Sequence, residues 1–233
     1  MSYRYETHLH TSPVSHCGKF GVRENLEFYS SLGYDGVFIT NHFIEGPSDR
    51  RYTPSHQANI EFFCSDYEAG KEIGRELGLR VFFGMETSFK GTDFLVYGLD
   101  GAWYLAHPEL MEMKKRDQLA FLIENGALVI QAHPFREAKY IDHIRLFPRS
   151  VHGVEVINAC RTDFENEMAA QYAKNYELLP FAGSDNHHGP LRPRLAGMQF
   201  ETPICDERDF VERILRGEGE LFHNDNPLVE NQD

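Results

Sequence analysis

Three histidines fall within nine positions near the start of the chain: His8, His10 and His16, in the stretch YETHLHTSPVSH. Imidazole is a common ligand for divalent transition metals. On an extended strand, residues two apart point the same way. His8 and His10 can therefore chelate together, with Leu9 turned to the opposite face. Other residues able to bind metal each follow a short apolar run. His42 comes after GVFITN, Glu86 after VFFGM, His133 after LVIQA, and Asp185 and His187 after PFAGS; Asp93 opens the run DFLVY. A single zinc takes three or four protein ligands. Six histidines and three carboxylates exceed that, so the set predicts a cluster of two or three ions. The remaining histidines (His56, His107, His143, His152, His188 and His223) read as ordinary hydrogen-bonding residues.

Strands must carry these residues to one place. Runs rich in Val, Ile, Leu and Phe recur at 35–40, 79–84, 94–99, 127–132, 153–158, 178–183 and 195–200, after an opening YRYETHLH. Each is too short for a helix and reads as a strand buried on both faces. Helical stretches lie between most of them: VRENLEFYSSLG, NIEFFCSDYEAGKEIGRELG, EMKKRDQLAFLIENG, FENEMAAQYAKNY and DERDFVERILRG. Several end in glycine, a common helix stop. Strand alternating with helix predicts a parallel α/β sheet. In α/β barrels the chemistry collects at the C-terminal ends of the strands. One connection breaks the alternation. Between Gly84 and Phe94 only METSFKGTD intervenes, too short for a helical crossover. A hairpin or an irregular pair is expected there, and a hairpin would bring Asp93 beside Glu86. The expected architecture is a distorted TIM-like α/β barrel with a metal site at the strand ends.

The bulk properties narrow the partners. The chain has 233 residues, 41% apolar, enough for one domain spanning 1–233. Its net charge is -13, which argues against a nucleic-acid polymer or an anionic membrane as partner. No apolar run approaches the ~20 residues of a spanning helix. Four cysteines (Cys17, Cys64, Cys160, Cys205) lie scattered, as expected for reduced thiols in a cytoplasmic protein. The acidic tail NDNPLVENQD reads as a frayed terminus.

Five motifs in order resemble those of the PHP (polymerase and histidinol phosphatase) superfamily. THLHTS resembles its H-x-H-[TS], ITNHF its T-D-H, GMETSF its G-x-E, QAHPFR its A-H-P and AGSDNHH its G-S-D-x-H. The resemblance runs from His8 to His187 and implies a stand-alone phosphoesterase on a distorted (β/α)7 barrel. It implies a trinuclear site with His8, His10, His16, His42, Glu86, His133, Asp185 and His187 as ligands to Zn, Mn or Fe. Asp93 falls where many members carry histidine. Glu6 and Asn41 stand where aspartates are usual.

The reaction implied is metal-dependent hydrolysis of a small phosphorylated substrate, histidinol-phosphatase-like, by a hydroxide bridging the ions. Glu86 would bridge two ions, and Asp185 or His187 would orient the nucleophile or carry a proton. Arg136, directly after A-H-P-F, is the expected phosphate cation. Arg23, Arg192, Lys19 and Arg194 are further candidates. Selectivity is expected from the segments 43–57, 100–115 and 136–150, with Phe43, Tyr52, Trp103, Tyr104, Tyr140 and Phe147 available for stacking. Three other readings compete. HCGKFGVR has the H-C-x5-R spacing of cysteine-dependent phosphatases, although its glycines are misplaced for that loop and Cys17 is otherwise left outside the site. An amidohydrolase-type C–N hydrolase also uses H-x-H on its first strand. A non-catalytic metal-binding module is the third.

Overall fold

Eight strands form where the apolar runs lie: β1 (Tyr3–Leu9), β2 (Gly36–Ile39), β3 (Arg80–Phe89), β4 (Thr92–Tyr97), β5 (Leu128–Ala132), β6 (Gly153–Asn158), β7 (Leu179–Gly183) and β8 (Arg194–Phe200). The computed structural model describes residues 2–229. A ninth strand, β9 (Glu220–Asp225), pairs antiparallel with β8. It takes in part of the stretch expected to fray. Beyond it Asn226 is buried, its side-chain amide donating to the carbonyls of Pro190 and Arg192. Residues 230–233 of that tail lie outside the described residues.

The helices follow the expected stretches: α1 (Val22–Ser31), α2 (His56–Leu77), α4 (Lys115–Glu124), α5 (Asp163–Tyr176) and α6 (Glu207–Leu215). A short α3 (Gly101–Ala106) and a 3-10 turn (Pro108–Glu112) were not anticipated. Local chemistry sets the ends. Ser55 Oγ accepts from the Ala58 N–H at 3.2 Å at the start of α2, and Gly78 closes that helix with φ 67°. Thr162 and Glu165 form a reciprocal capping box on α5. No helix among the described residues is long and apolar enough to cross a membrane.

The sheet order is β7-β6-β5-β4-β3-β2-β1-β8-β9. The pairs β1–β2, β2–β3, β5–β6 and β6–β7 are parallel; β4 is antiparallel to both β3 and β5. The short link thus makes a hairpin, and the start of β4 lies at the end where β3 and β5 finish. The sheet curls until β7 meets β1. There the Asn186 N–H donates to the His8 carbonyl at 3.1 Å and the His10 N–H to the Asn186 carbonyl at 3.1 Å. β1 therefore has two neighbours on one side, β8 along Tyr3–Tyr5 and β7 beyond. The result is the nearly closed, distorted TIM-like barrel expected from the sequence.

The barrel is filled unevenly. At one end Tyr5, Phe38, Phe82, Tyr97 and Phe181 pack together, and α6 plugs the opening with Phe210, whose ring centroid lies 4.3 Å from that of Phe38. The other end is polar. Between Glu6 and Leu9 the register of β1 with β2 shifts. Tyr5 and His8, three positions apart, then both enter the barrel, which strict alternation would forbid.

Candidate metal centre

Glu86 is the hub of the polar end. It lies three residues inside β3 rather than at its end, because the strand continues to Phe89. Its Oε1 is 3.3 Å from His8 Nε2 and 3.6 Å from His133 Nε2; its Oε2 is 3.2 Å from His10 Nε2 and 3.0 Å from His42 Nδ1. Asp185 stands opposite, with Oδ1 3.5 Å from His8 Nε2 and 3.6 Å from His10 Nε2, and Oδ2 3.7 Å from His133 Nε2. The hairpin carries Asp93 to 3.8 Å from His133 Nε2. His187 stacks on His10 with centroids 4.2 Å apart, and the His42 ring lies 4.7 Å from that of His10.

Donor atoms fall into overlapping groups whose members lie within 4.8 Å of one another: His8, His10 and Asp185; His8, Glu86 and His133; His10, Cys17, His42 and His187; and Cys160, Asp185 and His187. The donor set fits divalent transition ions. His8 Nε2 and His10 Nε2 face each other at 3.2 Å, both buried, beside Glu86 and Asp185. Glu86 Oε1 is buried without a hydrogen bond, and Asp93 Oδ2, also buried, has only the Arg136 guanidinium beside it at 2.9 Å. Such a concentration of lone pairs away from water calls for cations. Burial pushes the Glu86 carboxyl up, but His42, His8 and His10 hold it well below the usual range. Burial likewise raises Asp185, and His8, His133 and His187 outweigh it downward. Burial lowers His8 while Glu155, Asp185 and Glu86 raise it well above the ordinary value. His10, next to His187 and His42, is lowered by burial to about 3.

The backbone is bent to serve these contacts. His133 (φ 24°) and Asp185 (φ 52°) both occupy left-handed conformations that non-glycine residues rarely adopt. Buried partners fix the rings. Glu155, on β6, faces His8 Nδ1 at 2.9 Å through Oε1; its Oε2 accepts from the His133 N–H at 3.0 Å and from Asn158 at 2.7 Å. Glu155 was missed from the sequence, though an acidic residue inside the apolar run GVEVIN was a signal for it. Glu6 is not among the donors. Its Oε1 accepts from the N–H groups of His8 (2.8 Å) and Ser184 (3.0 Å), and its Oε2 from the Tyr29 hydroxyl at 2.7 Å, tying β1 to β7 and α1. Asn41 accepts from the Thr11 N–H at 2.8 Å and donates to Asp66 at 3.2 Å, holding the loop after β1. Arg51 clamps the segment bearing His42, donating to the carbonyls of Val14, His42 and Phe43.

Some expected residues stand elsewhere. His16 is exposed and belongs to none of the donor groups among the described residues; its neighbour Cys17 belongs instead. Arg23 is half exposed and pairs with Glu76 at 2.9 Å, so its guanidinium is engaged on α2 rather than with Cys17 as the H-C-x5-R reading needs. Arg194 is held by Asp163, and Lys19 is exposed. Arg136 lies at the rim, 2.9 Å from Asp93. Arg192 donates to the Ala159 carbonyl, one residue before Cys160. Of the aromatics expected to stack on a substrate, Phe43 and Tyr104 are core residues and Phe147 packs on Phe89 and Phe94. Tyr140 is exposed, with the Arg136 guanidinium 5.7 Å from its ring centre.

No family model matches the chain, and no curated protein matches it. Solved structures do. A two-domain protein from Bacteroides vulgatus, containing a predicted PHP-like metal-dependent phosphoesterase, superposes with a TM-score of 0.69 at 15% identity over 95% of this chain. This chain spans 65% of the length of that protein. A candidate metal-dependent phosphoesterase from Bifidobacterium adolescentis aligns over 80% of this chain and 88% of its own, with a TM-score of 0.53 at 14% identity. An amidohydrolase from Chromobacterium violaceum, solved with bound sulfate and no metal, covers 99% of this chain and 100% of its own, with a TM-score of 0.57 at 12% identity. With β4 reversed and the donor side chains gathered at one mouth, the chain has the distorted barrel fold that these structures share.

Proposed function

We propose that the chain is a metal-dependent hydrolase of small phosphate esters, a phosphomonoesterase of the PHP superfamily. One observation carries the reading: four imidazoles converge on the single carboxylate of Glu86 inside a barrel mouth. His8, His10 and Asp185 would hold one ion, Glu86, His133 and Asp93 a second, and His42 with His187 a third. Divalent ions held there supply Lewis acidity toward a phosphoryl oxygen and toward the attacking water.

The chain's own residues do the rest. Glu155 keeps the His8 ring turned so that Nε2 faces the mouth. Arg136 presents a fixed cation at the rim for the phosphate oxygens, with Asp93 orienting it. His187 would serve the third ion through Nε2, since its Nδ1 lies 2.9 Å from the Asp185 carbonyl oxygen.

The test is metal content together with activity. Purified protein is expected to carry two or three equivalents of transition metal and to hydrolyse members of a phosphate-ester panel. Chelation abolishes turnover, and His133→Ala folds but turns over very slowly. Turnover that survives complete metal removal would sink the proposal. The amidohydrolase neighbour supports a second reading, C–N hydrolysis on the same ions. Amide substrates in the same panel, hydrolysed in preference to esters, would favour it.

A further inference from the structure

The loop after β1 is folded back over the donor cluster, and its anchors decide which side chain it delivers. The Ser15 N–H donates to the Thr11 carbonyl at 2.8 Å, and the Gly18 N–H to the Ser15 carbonyl at 3.1 Å. The Lys19 N–H then reaches across to the His187 carbonyl at 2.9 Å. Ser15 Oγ accepts from the His42 N–H at 2.9 Å and lies 3.3 Å from His10 Nδ1. The turn sits directly on β1: a Cβ at Gly18 would come 3.1 Å from the His10 carbonyl oxygen. Residues 15 and 19 are thus both fastened to the strand ends that bear His10, His42 and His187. Between these anchors His16 and Cys17 are both exposed, but only Cys17 is in reach of the cluster: its Sγ lies within 4.8 Å of the donor nitrogens of all three histidines.

We infer that Cys17, not His16, is the loop's metal ligand, so that the third ion is held by a thiolate together with His42 and His187. This deepens the proposed function and rests on it. One sulfur with two or three imidazoles is a zinc- or iron-type donor set, softer than the carboxylate-rich pair of positions beside it. Binding breaks the S–H bond and forms a sulfur–metal bond, and the proton leaves to solvent. The two kinds of position then discriminate between ions. Hard ions such as Mn are accepted at the Glu86 and Asp185 positions, and the Cys17 position prefers a thiophilic ion. Cys160, which groups with Asp185 and His187, is the nearest competitor, and the test separates the two thiols.

The experiment is cobalt substitution read by absorption. Metal-stripped protein is titrated with Co(II), counting bound equivalents and following the near-ultraviolet thiolate-to-cobalt charge-transfer band. Wild type, His16→Ala and Cys160→Ser are expected to show the band. Cys17→Ser loses it and binds one equivalent fewer, with its far-ultraviolet circular dichroism unchanged. Cobalt binding without a band in wild type overturns the thiolate assignment and leaves the metal-dependent reading standing. A band that survives Cys17→Ser, or that vanishes with Cys160→Ser, overturns it as well. Failure to bind cobalt at all overturns both readings. Should Cys17→Ser fail to fold, thiol alkylation gives the same answer. Bound Co(II) protects Cys17 from iodoacetamide in wild type, and equal labelling with and without metal counts against the inference.

Discussion

At the scale of single residues, the ligands were more legible than the groups that aim them. His8, His10, Glu86, His133 and Asp185 each end or interrupt an apolar run, and a polar residue at such a place needs a reason. Glu155 gives its reason only in three dimensions. Its two oxygens serve His8 on β1 and the backbone of His133 after β5, contacts between residues far apart in sequence. Replacing it with glutamine keeps the shape but leaves one oxygen for at least two donors. Glu155→Gln is expected to weaken metal affinity by about 10–100-fold, measured by competition with a chromogenic chelator. Unchanged affinity would show that the contact to His8 does not orient the ring. The choice between His16 and Cys17 could not be read at all. Both are exposed, and only the bonds from Ser15 and Lys19 bring one of them, the Cys17 sulfur, within reach of the histidine nitrogens.

At the scale of elements, strand and helix positions followed from apolar runs and end signals, and the short link 85–93 correctly pointed to a hairpin. What periodicity could not show was the irregularity of β1 between Glu6 and Leu9, nor β9, whose sequence ELFHND carries few apolar residues. The β8–β9 pair matters because it covers the first half of β1, the half that β7 does not reach. Contact there is tight: a Cβ at Gly197 would sit 2.1 Å from the Tyr5 carbonyl oxygen and 2.9 Å from the Phe222 ring. Backbone cannot yield as a flexible side chain can. Gly197→Ala is expected to cost about 1–3 kcal/mol or more through overpacking, seen as a lower urea midpoint with an unchanged slope. A midpoint equal to wild type would mean that β8 can shift away from β1 at no cost.

At the scale of the whole molecule, one end of the barrel is an aromatic plug around Phe210 and the other a set of acids and imidazoles. The net charge of -13 does not reveal this division, since the charge that matters chemically is buried. The closure between β1 and β7 has a consequence of its own. That seam is held by a short bridge at Leu9 and Asn186, by the Thr7 hydroxyl on the Ala182 carbonyl and by the Glu6 carboxylate, not by a full ladder. His8 and His10 stand on one lip of it, Asp185 and His187 on the other. An ion shared across the lips is therefore a clasp as well as a reagent: it fastens two edges that the backbone alone joins loosely. Stripping the metal should quicken hydrogen exchange at the amides of His10, Ser184 and Asn186 well before those of the β3–β4–β5 ladders. Uniform protection with and without metal would show that the seam holds unaided. If the clasp is real, the protein cannot lose its ions and keep its mouth closed, and metal supply would govern how long the fold lasts as well as how fast it works.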